Sequence, residues 1–325
     1  MVIGDTTTKS SKLALDPLSH MTTTTMTTPD PASQLLTWEA LTLAPDPVHG
    51  RPLARSSHGL SVLQQGALLF LHGGEHVART PLEGAQTTWL GDLTAGTWEA
   101  LVYDNDCAPS PRIAHAQAVH ETTVYIFGGR TGVDMHETAL NDIWAWSAVT
   151  KTWTQIVTTN GPPPARSFHR MLSSDDSLYV FGGCGAAGRL ADLHRLDLPT
   201  RTWRVLAAAD LRGRGGPNFL KLPTATAPTQ LLVWAGFCGE ESRDGQVYDT
   251  ATGTWQAVLE VAALRPRSVC VAATLESHVV LFGGEVNPSD RGHEGAGGFS
   301  DEIVLLGADA ATTTTTTTQL VVAPL

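Results

Sequence analysis

The sequence predicts an all-β protein in which several small antiparallel sheets are arranged radially as a β-propeller. One segment begins with Val124-Tyr-Ile-Phe-Gly-Gly-Arg130 and continues to Trp153. It has the pattern of a strand, a double glycine, a polar loop and two further short strands. Similar segments recur along the chain at intervals of roughly 50 residues. One such sheet cannot bury both of its faces, so the copies are expected to pack side by side around an axis.

The repeats share an apolar strand, a glycine pair and a later Thr-Trp, as in Gly128-Gly129 followed by Thr152-Trp153. A period of roughly 50 residues is typical of kelch repeats, so we expect a kelch-type β-propeller with five recognisable repeats. The glycine pair allows the backbone to turn where inner strands crowd the axis. The tryptophan is expected to pack between neighbouring blades. The five repeats lie near residues 55–101, 112–156, 166–206, 214–258 and 267–307.

The two ends of the chain allow two different ways of completing the propeller. Residues 1–34 form a threonine-rich leader that we expect to be disordered, and residues 35–325 form the propeller, with a threonine-rich tail from residue 308. Residues 35–41 resemble the last strand of a repeat and are favoured as the outer strand of repeat five, which would close a ring of five blades. In the alternative, Gln319–Val322 provides that strand, and the chain forms a six-bladed propeller from which one blade is missing.

Composition excludes several classes of partner. The formal net charge of −11 argues against nucleic acid and against an anionic membrane surface. No apolar run approaches the length of a membrane span. The four cysteines show no metal-type spacing and the N-terminus has no apolar signal core, so we expect reduced thiols and a cytoplasmic location.

Four arginines occupy equivalent positions at the start of a repeat. They are Arg55, Arg112, Arg166 and Arg267. In one hypothesis they form a ring of guanidinium groups at the channel mouth that binds a sulfate, phosphate or carboxylate. In the other, each arginine bonds backbone carbonyls or a neighbouring blade. Histidines recur three residues later in three of these repeats (His58, His115 and His169), which indicates a packing role.

The loop of the fifth repeat differs from the other loops in its chemistry. It places Glu285, Asp290 and His293 within a short glycine-rich segment. Carboxylate and imidazole ligands with open coordination positions are typical of ferrous sites. The absence of cysteine in this loop argues against a closed structural zinc site. The alternative is a polar loop that binds nothing.

At this loop the sequence resembles a known family. The motifs are Arg-Ser-Phe-His before Tyr-Val-Phe-Gly-Gly, then Arg-Gly-Gly, Ala-Gly-Phe and Gly-Gly-Glu-Val-x-Pro, followed by Gly-His-x-Gly-x-Gly. Over about residues 50–307 this is similar to the nitrile-specifier, epithiospecifier and thiocyanate-forming proteins. The resemblance implies a cytosolic kelch protein that depends on Fe(II) and directs breakdown of an unstable glucosinolate aglycone toward nitriles and related products.

The resemblance also implies particular site residues. The ferrous ligands of the family follow Glu-x-x-x-Asp-x-x-x-His, which Glu285 and His293 match, whereas Ser289 occupies the middle position and Asp290 comes one residue later. Arg166 matches one of the arginines that hold the sulfate of the substrate in the family. A second such arginine would fall near Ala116, and the sixth blade of the family has no counterpart here.

Two functions from different classes follow. The first is an Fe(II) site formed by Glu285, Asp290 and His293 that acts on a small anionic sulfur-containing molecule held by Arg166. The second is a kelch scaffold without catalytic activity, whose loops bind a protein partner.

Overall fold

The structure is a computed structural model that describes residues 40–132, 139–223, 229–257, 264–275, 278–287, 297–307 and 320–323. Contacts divide the chain into two units, Met1–Ala40 and Leu41–Leu325. Apart from Ala40, every described residue belongs to the second unit. The expected disordered leader, residues 1–34, therefore lies outside the described residues, as does the threonine tract of the C-terminal tail.

The second unit contains five four-stranded antiparallel sheets, called blades one to five, which follow one another along the chain. Blade one contains β1 (Gly59–Leu63), β2 (Leu68–His72), β5 (Thr88–Asp92) and β6 (Thr97–Ala100), with the hairpin β3 (Glu75–Val77) and β4 (Thr80–Pro81) in its loop. Blade two contains β7 (Ala116–His120), β8 (Thr123–Gly129), β9 (Leu140–Ser147) and β10 (Thr152–Gln155). Blade three contains β11 (Arg170–Ser174), β12 (Ser177–Gly185), β13 (Gly188–Asp197) and β14 (Thr202–Val205). Blade four contains β15 (Asn218–Lys221), β16 (Gln230–Phe237), β17 (Glu241–Asp249) and β18 (Thr254–Ala257). Blade five contains β19 (Val271–Leu275), β20 (His278–Phe282), β23 (Ile303–Gly307) and β24 (Leu320–Ala323), with the hairpin β21 (Glu285–Asn287) and β22 (Gly298–Phe299) in its loop.

The predicted all-β fold with five kelch blades is confirmed. Within the described ranges, helical structure is limited to single 3₁₀ turns at Gln64–Gly66, Gly84–Gln86 and Asn105–Cys107. No helix in those ranges has the length and apolar character that crossing a membrane requires.

The glycine pair of blade two shows why the repeat needs glycine. Gly128 and Gly129 have φ angles of 62° and 93°, which side chains rarely adopt. A Cβ atom on Gly129 would lie 2.8 Å from the carbonyl oxygen of Ile113. The Gly129 N–H donates to the carbonyl of Arg166 at 2.9 Å, so the turn also joins blade two to the start of blade three.

A chain of backbone hydrogen bonds connects the blades near the axis. The N–H of Ala114 donates to Ser57, that of Phe168 to Ala114, that of Gly216 to Phe168 and that of Val269 to Gly216, at 2.8–2.9 Å. All five residues have positive φ angles, between 48° and 58°. These four bonds join blades one to five in order. Among the described residues, no corresponding bond joins Val269 back to Ser57.

In repeats two, three and four the tryptophan near the end of the repeat packs between blades, as predicted, whereas Trp98 of repeat one lies against Trp89 of its own blade. The ring of Trp153 lies 5.0 Å from that of His72 in the preceding blade. Trp203 lies 5.5 Å from Phe127 in the same way, and Trp255 lies 6.0 Å from Phe181. In each pair the partner is the residue directly before the glycine position of the preceding blade. The tryptophans therefore help to bury the facing surfaces of neighbouring sheets.

The side of the propeller between blades five and one is open in the described part of the chain. Four apolar clusters join blades one and two, two and three, three and four, and four and five. No such cluster among the described residues joins blade five to blade one. Leu60 and Val62 of β1 are each 55% exposed, and Val271 of β19 is 70% exposed. These apolar side chains face outward where another blade would normally cover them.

The outer strand of blade five corrects the favoured closure. Leu320–Ala323 pairs with β23 in the outer position, so the C-terminal alternative describes this sheet and residues 35–41 do not supply its fourth strand. Residues 35–39 lie outside the described residues. The chain that follows runs beside blade one: the Ala44 N–H donates to Gly96 O at 2.7 Å, and Trp98 N–H donates to Ala44 O at 2.8 Å.

The recurrent histidines differ in burial because of the open side. His115 and His169 are 5% and 0% exposed, which confirms their predicted packing role, whereas His58 of blade one is exposed. His72 is also fully buried, 5.4 Å from the His115 ring. Burial, followed by nearby positive charges, lowers the pKa of these three buried imidazoles, and that of His115 falls to about 3. The folded protein therefore holds them neutral.

The buried histidines predict loss of stability in mild acid. The unfolded chain binds protons at these histidines near pH 6.5, and the folded chain does not. Their contribution to the unfolding free energy is therefore fully present above pH 6.5 and is lost as the pH drops toward 3. Each histidine contributes a slope of up to about 1.4 kcal/mol per pH unit. His115→Leu should flatten the dependence of unfolding free energy on pH, measured by urea denaturation between about pH 7 and pH 5. The exposed His49→Leu is the control, and equal slopes in the His115 variant and wild type would contradict the assignment.

Candidate functional site

Four arginines are fully buried and form equivalent contacts in blades two to five, although Arg267 bonds only one oxygen of its carboxylate. Arg166 illustrates the arrangement: its Nη1 donates to Gly182 O at 3.0 Å and to Asp192 Oδ1 at 2.8 Å, and its Nη2 donates to Asp192 Oδ2 at 2.8 Å. Its Nε donates to Pro164 O. The four pairs, called arginine clamps, are Arg112–Asp142, Arg166–Asp192, Arg214–Asp244 and Arg267–Glu302.

Each arginine clamp joins three parts of one blade. The guanidinium bonds the segment before the inner strand, the first carbonyl of the glycine turn and a carboxylate at the third strand. A planar fork matches a carboxylate with two parallel bonds, which a lysine cannot do. Burial alone would raise the pKa of the Asp192 carboxyl, but hydrogen bonds from His194 and Arg166 lower it below its ordinary value. The clamp is therefore a charged pair.

Blade one lacks a complete clamp. Arg55 donates to the carbonyls of Leu53, Gly73 and Gln86 and to Gln86 Oε1. In the described part of the chain no carboxylate lies within ion-pair distance of it. Burial lowers the pKa of Arg55 to about 10, so it remains a cation at neutral pH.

The clamps bear on the two hypotheses for the repeated arginines. Arg112, Arg166 and Arg267 are 0% exposed, and the carboxylates offset their charge. Their donors face groups of their own blade, which is the arrangement of the second hypothesis. An anionic ligand would have to displace a buried ion pair to reach them, so we interpret these arginines as structural.

The residues that follow the glycine turns lie at one end of the propeller. Each forms an isolated bridge with the residue three positions before the inner strand of its own blade, as Glu285 does with Ser268. We call this end the glycine-loop face. Its five residues at this position are Glu75, Arg130, Cys184, Phe237 and Glu285.

Two arginines with aromatic partners lie on this face, on neighbouring blades. The guanidinium carbon of Arg130 lies 5.1 Å from the Phe168 ring centroid, and that of Arg189 lies 4.5 Å from that of Phe237. Neither makes an ion pair with a carboxylate within the described ranges. Burial raises the pKa of the Cys184 thiol, while the charges of Arg189 and Arg130 act in the opposite direction. These positive groups therefore surround a half-buried, protonated thiol.

The predicted metal loop is described only at its two ends, residues 285–287 and 297–299. Glu285 is in β21, and its Oε1 accepts from the Gly297 N–H at 2.7 Å. Asp290 and His293 lie outside the described residues. Within the described ranges, no group of three histidine, cysteine, aspartate or glutamate side chains is arranged to hold a metal ion.

A second carboxylate lies close to Glu285. Glu241, the first residue of β17, is 8% exposed, and its Oε1 accepts from Ser268 Oγ at 3.3 Å. Burial raises the pKa of Glu241, and the charge of Glu285 raises it further. The geometry thus places an acidic pair on adjacent blades, with Ser268 bonded to both residues.

Three residues of this face were missed in the sequence. Arg130 could have been found by aligning the repeats, because it directly follows Gly128-Gly129, as Glu285 follows its own glycine pair. Arg189 and Glu241 carry no comparable signal. Only the packing of blades brings them near Phe237 and Glu285.

A family model for the KLHDC2/KLHL20/DRC7 Kelch-repeats domain matches residues 32–213, more than half of the chain. The chain is 28% identical over 275 residues to N-(sulfonatooxy)prop-2-enimidothioate sulfolyase from Thlaspi arvense, covering 77% of this chain and 76% of that protein. It is also 28% identical over 257 residues to human leucine-zipper-like transcriptional regulator 1, covering 76% of this chain and only 30% of that protein.

Another relative is kelch domain-containing protein 1 of Mus musculus, 26% identical over 214 residues and covering 58% of this chain and 52% of that protein. The chain thus resembles both a lyase and larger kelch proteins. The matched domain and the five repeated blades show that the chain belongs to the kelch-repeat family of β-propellers.

Proposed function

We propose that this chain is a specifier-like lyase that binds Fe(II) at the fifth-blade loop and directs breakdown of an anionic, sulfur-containing small molecule toward a nitrile. The observation that carries the proposal is the position of the Glu285 carboxylate. It is fixed on the glycine-loop face by a bond from Gly297, in a chain that covers 76% of a sulfolyase. The name of that relative describes a substrate with a sulfonatooxy group, which is an anion.

The residues of the loop suit a ferrous ion. Glu285 Oε1 accepts from the Gly297 N–H, and within the described residues Oε2 makes no hydrogen bond. Asp290 and His293 would complete a set of carboxylate and imidazole donors. A bound ferrous ion would supply a Lewis-acidic, one-electron centre for the sulfur-bearing part of the substrate.

The anionic end of the substrate would bind Arg130 and Arg189. Both guanidinium groups lie on the glycine-loop face and have no carboxylate partner within the described ranges. Phe168 and Phe237 hold their planes and leave the N–H edges for sulfate oxygens. The clamped Arg166 would instead maintain the blade.

The metal proposal predicts Fe(II) binding that depends on the loop. Anaerobic calorimetric titration should give binding near one ion per chain, and Glu285→Ala and His293→Ala should each abolish it because each removes a ligand. The melting temperature without metal should stay close to that of wild type. Retention of Fe(II) by both variants would contradict the site.

The two sets of arginines predict opposite effects. Arg166→Lys should lower the unfolding free energy by about 3 kcal/mol, because it breaks a buried pair. Arg189→Ala should leave stability within about 0.5 kcal/mol of wild type. It should raise KM about tenfold for an aglycone released in the assay from its glucoside, because a charge-assisted bond is lost. Equal KM values for Arg189→Ala and wild type would show that the anion binds elsewhere.

A protein-binding scaffold is the second candidate, and the open side favours it. Leu60, Val62 and Val271 present apolar surface that a partner could cover. Crosslinking of the full chain in extract should then give a stoichiometric partner attached through blades one and five. A Leu60→Asp, Val62→Asp double variant should lose it. Crosslinks confined to other blades would exclude this surface.

A further inference from the structure

Glu241 of blade four occupies an unusual place for an acidic side chain. It follows the glycine loop of its own blade and pairs with Phe237 across the turn. Its side chain is buried, with only 8% of the residue exposed. The strand that it begins, β17, also contacts β21 of blade five. Glu241 therefore lies at the boundary between the two blades, on the strand that contacts β21 and its first residue Glu285.

The carboxylate of Glu241 is only half satisfied. Its Oε1 accepts from Ser268 Oγ at 3.3 Å, whereas its Oε2 is buried and has no hydrogen-bond partner in the described structure. A buried carboxylate oxygen without a donor is costly, so it is normally paired with a cation or a donor. Among the described residues, no arginine, lysine or histidine forms an ion pair with it.

Glu285 brings a second negative charge to the same place. Ser268 and Glu285 exchange two backbone hydrogen bonds of 2.9 Å, so the serine that bonds Glu241 is held directly against Glu285. Arg267, the residue directly before Ser268, is already bonded to Glu302 and to the Gly283 carbonyl. Ser268 therefore bonds both residues, Glu241 through its hydroxyl and Glu285 through its backbone, and Arg267 is not free to offset either charge.

We propose that Glu241 is a ligand of the cation bound by Glu285, so that the metal site bridges blades four and five. This inference rests on the proposed function and extends it to a residue on a different blade. Carboxylate oxygens suit a divalent cation, which would supply the charge that the pair lacks. The bound cation would then fasten the two blades together as well as serve the fifth-blade loop.

The test compares three conservative variants of the full chain. Fe(II) is titrated anaerobically into wild type, Glu241→Gln, Glu285→Gln and Glu240→Gln, and melting temperature is measured with and without the metal. Glu240 is the matched control, because it is exposed and pairs with Arg212 rather than with blade five. The amide keeps the shape of the side chain and removes its charge.

Glu241→Gln should weaken Fe(II) binding at least about tenfold, because it removes a charged ligand. Without metal, this variant should be as stable as wild type or more so, since the repulsion between the carboxylates is gone. At the same concentration, Fe(II) should raise the melting temperature of Glu241→Gln by less than that of wild type and Glu240→Gln.

The outcomes separate this inference from the proposed function. If Glu285→Gln loses Fe(II) and Glu241→Gln binds it as wild type does, Glu241 is not a ligand and the inference is overturned, while the fifth-blade site remains. If wild type itself binds no Fe(II), both are overturned.

Discussion

The buried bond between an arginine and a carboxylate is the interaction on which the blades depend. In Arg166–Asp192 and its three counterparts, one guanidinium holds the segment before the inner strand, the glycine turn and the third strand. Removing one partner would leave a buried charge unpaired, which costs more than the pair itself contributes. The clamp thereby sets the position of the glycine turn, and with it the residue that follows the turn.

Because of this constraint, the charged residues that hold the blades together differ from those that could bind a ligand. The arginines that begin the repeats are used inside the blades, so ligand-binding charge must come from the glycine-loop face. There the blades differ: Arg130 and Arg189 provide positive groups, and Glu241 and Glu285 provide negative groups. The repeated scaffold thus presents a non-repeated set of side chains, and a site between blades can combine residues that are distant in the chain.

The repeats, the glycine turns and the packing of the tryptophans were predictable because each is a local pattern copied several times. The clamps were not, since Asp142 lies 30 residues after Arg112 and only the sheet brings them together. Likewise, the open side could not be deduced from Leu60 and Val62, because apolar residues alternating along a strand such as β1 are typical of a covered sheet face. Glu241 was missed because its relation to Glu285 depends on how two blades pack.

The most direct test of this account is anomalous diffraction at the iron edge from crystals grown anaerobically with Fe(II). One strong peak is expected between blades four and five, within bonding distance of carboxylate oxygens from both Glu241 and Glu285. The absence of a peak at this boundary, or a peak coordinated by residues of another blade, would contradict it.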